Sequence, residues 1–373
     1  MTVDAEERLD TMALLAAADP ADMLRQVASS AAQVRSAVRA TDDADLDELT
    51  AAGRPRAIVV TGMGGSGVAG DVMAAVCGPG CPVQIHPVHD YQLPAWVGAA
   101  DLVIAVSCSG GTEETIAAAT AAVRRGCRLV GVGGEDSPLA MIAQQARAPF
   151  IGVRSAGMPR STLWGLSMPL VVIASRLGLL EAGAEEYESV AAELERISHL
   201  CRPDSESFVN PAKSLALELA GTLPMIWGNS PLAGVAAYRF GTQLSENAKY
   251  PAVTGTLPEA NHNQVVTFDG PFAPGPQAVG LDPAGAPPVP LRLILLRDTQ
   301  EHPQVARRRE ESARIAADRG IEVTELAASG DLPLERLASL VQLIDYAAVY
   351  LAIAIGIDPT PIAAIQELKA RIA

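Results

Sequence analysis

Apolar and polar positions along this chain follow two different rhythms. Up to about residue 52, Leu14, Leu15, Met23, Leu24, Val27, Val34 and Val38 fall at mixed helical spacings, with little strand character. A helical N-terminal arm is expected over 1–52. Short continuous apolar runs then predict strands at 57–61, 82–86, 102–107 and 128–132, separated by helical stretches at about 66–77, 112–125 and 137–146. That alternation is the signature of an α/β domain with a parallel sheet and crossover helices.

From about 150 to 205 the pattern is mostly helical, and the polar stretch "HLCRPDSES" at 199–207 reads as a hinge. A second cycle follows it. Apolar strands at 223–228, 291–296 and 321–326 alternate with helices near 231–248, 301–319 and 333–355. The halves, 53–200 and 205–373, look like two copies of one architecture without a visible letter-by-letter repeat. Residues 270–290, rich in Pro, Gly and Ala, cannot continue a helix or a central strand and read as a surface loop, with a cover over a site as the lesser reading.

Composition narrows the function classes. The chain has 373 residues and an apolar fraction of 49%, enough to fill two cores. A formal charge of −15 argues against broad contact with nucleic acid or an anionic membrane, so an anionic ligand has to be held locally. The apolar stretch Tyr346–Ile357 is too short to cross a bilayer and reads as a buried core helix. The acidic start "MTVDAEERLD" lacks the order of a secretory signal, and a cytoplasmic address is expected. Cys77, Cys81, Cys108, Cys127 and Cys201 are irregularly spaced and complete no zinc set, so they read as structural thiols.

Two loops carry candidate chemistry. "GMGGSGVAGD" at 62–71 follows the first strand; Gly62, Gly64 and Gly67 fit a dinucleotide spacing, but position 91 is Tyr where an acid would take a ribose. No Gly-Lys-Ser/Thr follows, which removes a Walker loop. What remains is Ser66 at a helix start among outward-facing amides, suited to a single phosphate group, or a tight turn without ligand. "SCSGGTEET" at 107–115 adds Ser107, Ser109 and Thr112 at the start of another helix. Thr112 before Glu113 and Glu114 also reads as an ordinary cap. Two such loops at neighbouring strand ends point to a ligand at the carboxyl edge of the sheet.

These two blocks resemble the sugar isomerase (SIS) domain. The stretches "SENAKYPAVTGTLPEANHNQ" (245–264) and "DPTPIAAIQELKARIA" at the end resemble the bifunctional phosphoglucose/phosphomannose isomerases of that superfamily. The resemblance runs from about residue 55 onward. It implies two SIS domains and a homodimer with shared active sites. It also implies a sugar 6-phosphate substrate, with no metal or redox cofactor and no nucleic-acid or membrane partner. By the same resemblance Gly65, Ser66, Ser107, Ser109 and Thr112 hold the phosphate, and Arg160 in "GMPRST" lies against C1–C2. Glu246 matches the catalytic base, His262 the ring-opening histidine and Lys369 a second ring-opening group.

Chemistry gives these roles reasons. A closed sugar ring needs a donor and an acceptor to open, and imidazole titrates near neutrality. A carboxylate then moves one proton between C2 and C1 through a cis-enediolate, which a fixed arginine stabilises. Lysine is scarce: Lys213, Lys249 and Lys369 are the only three among 28 basic residues, and two lie in the family-like blocks. Gly111 and Gln264 depart from the family, which more often has Asn and Glu there. Against the isomerase stand two readings: a non-catalytic sugar-phosphate sensor, and an SIS isomerase of an amino sugar or pentose phosphate.

Overall fold

The computed structural model describes residues 4–154, 157–274 and 289–372. The chain forms two compact units, one running from Ala28 to Glu195 and the other joining the segment up to Val27 to the segment from Arg196 onward. The 1–52 region is helical throughout its described elements: α1 (Ala5–Asp10), α2 (Met12–Ala18), α3 (Met23–Ala28), α4 (Ser30–Asp42) and α5 (Asp47–Ala51). The division between the units therefore runs through it.

The Ala28–Glu195 unit holds a parallel five-stranded sheet. In chain order its elements are β1 (Ala57–Thr61), α6 (Gly65–Cys77), β2 (Gln84–Val88), β3 (Leu102–Ser107), α7 (Glu113–Arg124), β4 (Arg128–Gly133), α8 (Pro138–Ala146), β5 (Phe150–Gly152) and α9 (Leu163–Arg176), with α10 (Ala184–Leu200) beginning in it. The strand order is β2-β1-β3-β4-β5. All residues of β1 and β3 are buried, because helices cover both faces. Ile58, Val60, Ile104, Val106, Val130 and Val132 face a core shared with α6 and α9, while Val59, Val103, Ala105 and Leu129 face α7 and α8. The second strand begins at Gln84 rather than 82, and Pro87 is tolerated because β2 is an edge. The short edge strand β5 escaped the sequence reading because three residues set no period.

The other unit repeats the plan with four strands. It contains α11 (Pro211–Leu219), β6 (Leu223–Gly228), α12 (Pro231–Gln243), β7 (Val253–Thr256), α13 (Ala260–Asn263), β8 (Leu291–Arg297), α14 (Pro303–Asp318), β9 (Glu322–Ala327), α15 (Pro333–Ala354) and α16 (Ala363–Ile372). Its parallel order, β7-β6-β8-β9, reproduces β2-β1-β3-β4. The two-copy expectation thus holds at the level of topology. The edge strand β7 went unread because "VTGT" is short and interrupted by glycine.

The apolar stretch near residue 350 belongs to α15, a 22-residue helix long and apolar enough to cross a membrane by composition, yet buried along nearly its whole length inside its unit. It is the core helix that the sequence suggested. The stretch at 199–207 is not a loose hinge. Buried Lys213 donates to the carbonyls of Leu9 at 2.6 Å, Pro203 at 2.9 Å and Ser205 at 2.7 Å, fastening α1, this stretch and α11 together. The 270–290 loop lies mostly outside the described residues. All five cysteines are free, and burial pushes the thiols of Cys77 and Cys201 up to about 12, keeping them protonated and unreactive.

Two predictions follow from this packing. Arg239 on α12 donates to Asp345 on α15 at 2.9 and 2.5 Å, with both side chains buried and burial pushing the aspartate pKa up against the arginine's pull. Asp345→Ala removes the carboxylate that faces the buried guanidinium, and urea unfolding should show a loss of about 3–5 kcal/mol; an unchanged midpoint contradicts this account of the interior. A Cβ at Gly62 would meet the backbone oxygens of Ser66 at 2.8 Å and Val106 at 3.0 Å, whereas one at Gly111 meets nothing within 4 Å. Gly62→Ala should cost about 1–3 kcal/mol while Gly111→Ala is neutral, and equal melting temperatures for the two variants would refute the packing.

Candidate active site

The carboxyl edge of the first sheet gathers the hydroxyl-bearing residues. The β1–α6 loop turns at Gly64, whose φ of 55° requires glycine. Ser66 lies buried in the first turn of α6, and its hydroxyl accepts from the Cys108 amide at 3.1 Å, tying the first loop to the one after β3. In that second loop the Ser107 and Thr112 hydroxyls bond each other at 2.9 Å. The exposed Ser109 hydroxyl accepts from the Gly111 amide at 3.3 Å. Ser107 is fully buried, so in this arrangement it braces Thr112 rather than facing outward.

The capping reading of Thr112 fails. Thr112 stands at the N-cap of α7, but its side chain makes no cap hydrogen bond. Gly64 caps α6 without a side chain either. By contrast Ser137, Asn210 and Ser230 cap α8, α11 and α12 through their side chains. The two helices that face the loops keep their positive ends without a side-chain acceptor, which is the arrangement an anion fills.

Arg160 belongs to the same cluster. It is 2% exposed, on a 3-10 turn spanning Pro159–Ser161. A Cβ built on Gly65 would lie 3.5 Å from the Pro159 carbonyl oxygen and 3.8 Å from the Arg160 Cα, so this turn abuts the start of α6. All five hydroxyl-loop candidates and the arginine are thereby assembled on one sheet edge. His89 was not singled out from the sequence, yet its Nδ1 lies 2.9 Å from the Gly62 carbonyl and its Nε2 3.8 Å from Asp71. Burial raises the Asp71 pKa, partly opposed by His89. The only sequence signal was its place just after the second strand.

Glu246, His262 and Lys369 sit on three separate elements of the other unit. Glu246 is half-buried in a π-helical turn, Leu244–Ala248, that continues α12; such turns widen a helix and often mark functional positions. The sequence reading ran an ordinary helix through it. His262 is exposed on α13. Beside it Gln264 accepts from the Trp227 indole N–H at 2.6 Å and donates to the Thr254 carbonyl at 3.0 Å. A glutamate could accept from the indole but has no N–H for Thr254, so this departure from the family suits its neighbours. The other departure, Gly111, has open space around it. Lys369 is on α16, which buries no residue.

The corresponding edge of the second sheet is filled by the chain itself. Buried Asp298, just after β8, accepts from Ser230 at 2.9 Å and from the Arg336 Nε at 2.6 Å. Asn229 donates to the Asp298 carbonyl at 3.0 Å and to Glu301 at 2.6 Å, and Glu301 pairs with Arg309 at 3.0 Å. A carboxylate of the protein thus occupies the edge where the first sheet has serine and threonine hydroxyls.

Residues 208–372 match the family model described as the bacterial phospho-glucose isomerase C-terminal SIS domain. The chain is 31% identical over 318 residues to the bifunctional phosphoglucose/phosphomannose isomerase of Caldicellulosiruptor bescii, covering 85% of this chain and 89% of that protein. The protein of the same name from Aquifex aeolicus is 28% identical, with 84% and 89% covered. The C-terminal domain of glucosamine-fructose-6-phosphate aminotransferase from Francisella tularensis superposes with a TM-score of 0.64 over 91% of this chain and 98% of its own, at 14% identity, a likeness of fold alone. On the extent and identity of its match to these relatives, the chain belongs to the bifunctional phosphoglucose/phosphomannose isomerase family.

Proposed function

We propose that this protein is an aldose–ketose isomerase interconverting fructose 6-phosphate with glucose 6-phosphate and mannose 6-phosphate, acting in the cytoplasm as a homodimer with shared sites. The observation that carries the reading is the pair of helix N-termini at the first sheet edge, whose hydroxyls bridge the loops instead of capping the helices. Ser66, Ser109, Thr112 and the Gly65 backbone receive the phosphate there, with Ser107 bracing Thr112. The reading requires Glu246, His262 and Lys369 to reach the sugar head held by those loops, within one chain or across the dimer.

The reaction is a balanced transfer of protons. His262 and Lys369 serve the ring oxygen and the C1 hydroxyl, one giving a proton as the other takes one, which opens the ring. The Glu246 carboxylate removes the C2 proton of the open aldose, leaving a cis-enediolate with its charge on the C1 oxygen, and the C2 hydroxyl proton passes to that oxygen. The resulting cis-enediol(ate) receives the proton back at C1 while the C2 oxygen becomes the ketose carbonyl. Arg160 stands against the developing oxyanion, where a fixed buried cation is most effective. A sugar-phosphate sensor without turnover is not favoured beside relatives named as isomerases.

A coupled assay following fructose 6-phosphate formation from each aldose tests the reading. Glu246→Gln should lower kcat at least about 100-fold and leave glucose 6-phosphate affinity within a few-fold, whereas full activity in the variant would overturn its role as base. His262→Asn should lose more rate on closed-ring glucose 6-phosphate than on an open-chain aldose phosphate; equal losses on both would remove the ring-opening assignment.

A further inference from the structure

Lys249 ends the π turn that carries Glu246. Its backbone is left-handed, with φ of 55°, and its amide returns to the Leu244 carbonyl. The next amide, of Tyr250, reaches the same carbonyl at 3.1 Å. The Lys249 ammonium lies on four carbonyl oxygens. Two belong to the turn itself, Glu246 at 3.0 Å and Asn247 at 3.1 Å. The other two, Asp358 at 3.1 Å and Pro359 at 3.4 Å, belong to the segment between α15 and α16.

We propose that Lys249 is a positioning residue that ties the Glu246 turn to the root of the helix bearing Lys369, an inference that rests on reading Glu246 as the base. The residue type fits the task. A compact ammonium with three rotatable donors can serve carbonyls converging from two segments, which a planar guanidinium cannot match. The backbone argues in the same direction, because glycine or asparagine is the ordinary occupant of a left-handed helix end. A long cationic side chain at that position opposes backbone preference, and the four carbonyl contacts supply a reason for it. Proton transfer between two adjacent carbons tolerates little displacement of the carboxylate, so holding the turn bears directly on rate.

The test uses the full-length protein with Lys249→Gly, which relieves the backbone while removing the ammonium, and Lys249→Met, which keeps the stem without the charge. In both variants kcat on glucose 6-phosphate should fall at least tenfold with KM within about twofold. Ethylammonium added to Lys249→Gly should restore part of the rate. Hydrogen exchange read by mass spectrometry should quicken together in residues 244–250 and 358–362. Unchanged kcat in both variants, or a fall accompanied by an equal rise in KM, overturns the positioning role. Exchange that stays at the wild-type rate in either segment overturns the tether itself. If wild-type protein shows no isomerase turnover while both segments still loosen together in Lys249→Gly, the tether stands and the assignment of Glu246 as base is what fails.

Discussion

A parallel sheet covered by helices brings helix N-termini to the carboxyl ends of its strands, and those positive ends need acceptors. The two units of this chain meet that constraint in opposite ways. At the second sheet Ser230 caps α12, and Asp298 supplies a buried negative charge matched by Arg336. At the first sheet neither α6 nor α7 receives a side-chain cap, although hydroxyls stand at both. Among the described residues, one plan used twice thus leaves the first edge without the buried carboxylate that occupies the second.

The groups proposed as reactive lie on the other copy of the same plan. The second unit, with its own edge closed, contributes Glu246 on a widened helical turn, His262 on a short exposed helix and Lys369 on α16. In the interior behind that turn, the Arg239–Asp345 pair joins α12 to α15. Each of the three lysines is accounted for differently: Lys213 fastens buried carbonyls, Lys249 spans two segments, and Lys369 stands exposed.

Most of the sheet plan was legible in the sequence because parallel strands buried on both faces are written as continuous apolar runs, as in "AIVVT" and "LVIAVS". The edge strands β5 and β7 were not, since short strands with glycine carry no period. The glycine spacing at 62–67 looked like a dinucleotide fingerprint, yet Gly62 is needed where backbones of α6 and β3 approach. The hydroxyls of the loops could be read as ligands or caps; hydrogen-bond geometry, which spacing does not encode, favours ligands. The π turn at Glu246 was invisible because it reads as a continuation of α12, and the Asp298–Arg336 closure because its partners lie far apart in the chain. His89 was missed for the same reason, its contact with Gly62 spanning the whole first crossover.

Calorimetric titration with glucose 6-phosphate tests the asymmetry between the two sheet edges most directly. The account predicts one sugar phosphate per chain, with affinity reduced at least about tenfold when Ser109 and Thr112 are replaced by Ala and Val. Two sugar phosphates per chain, or an affinity indifferent to those replacements, would contradict it.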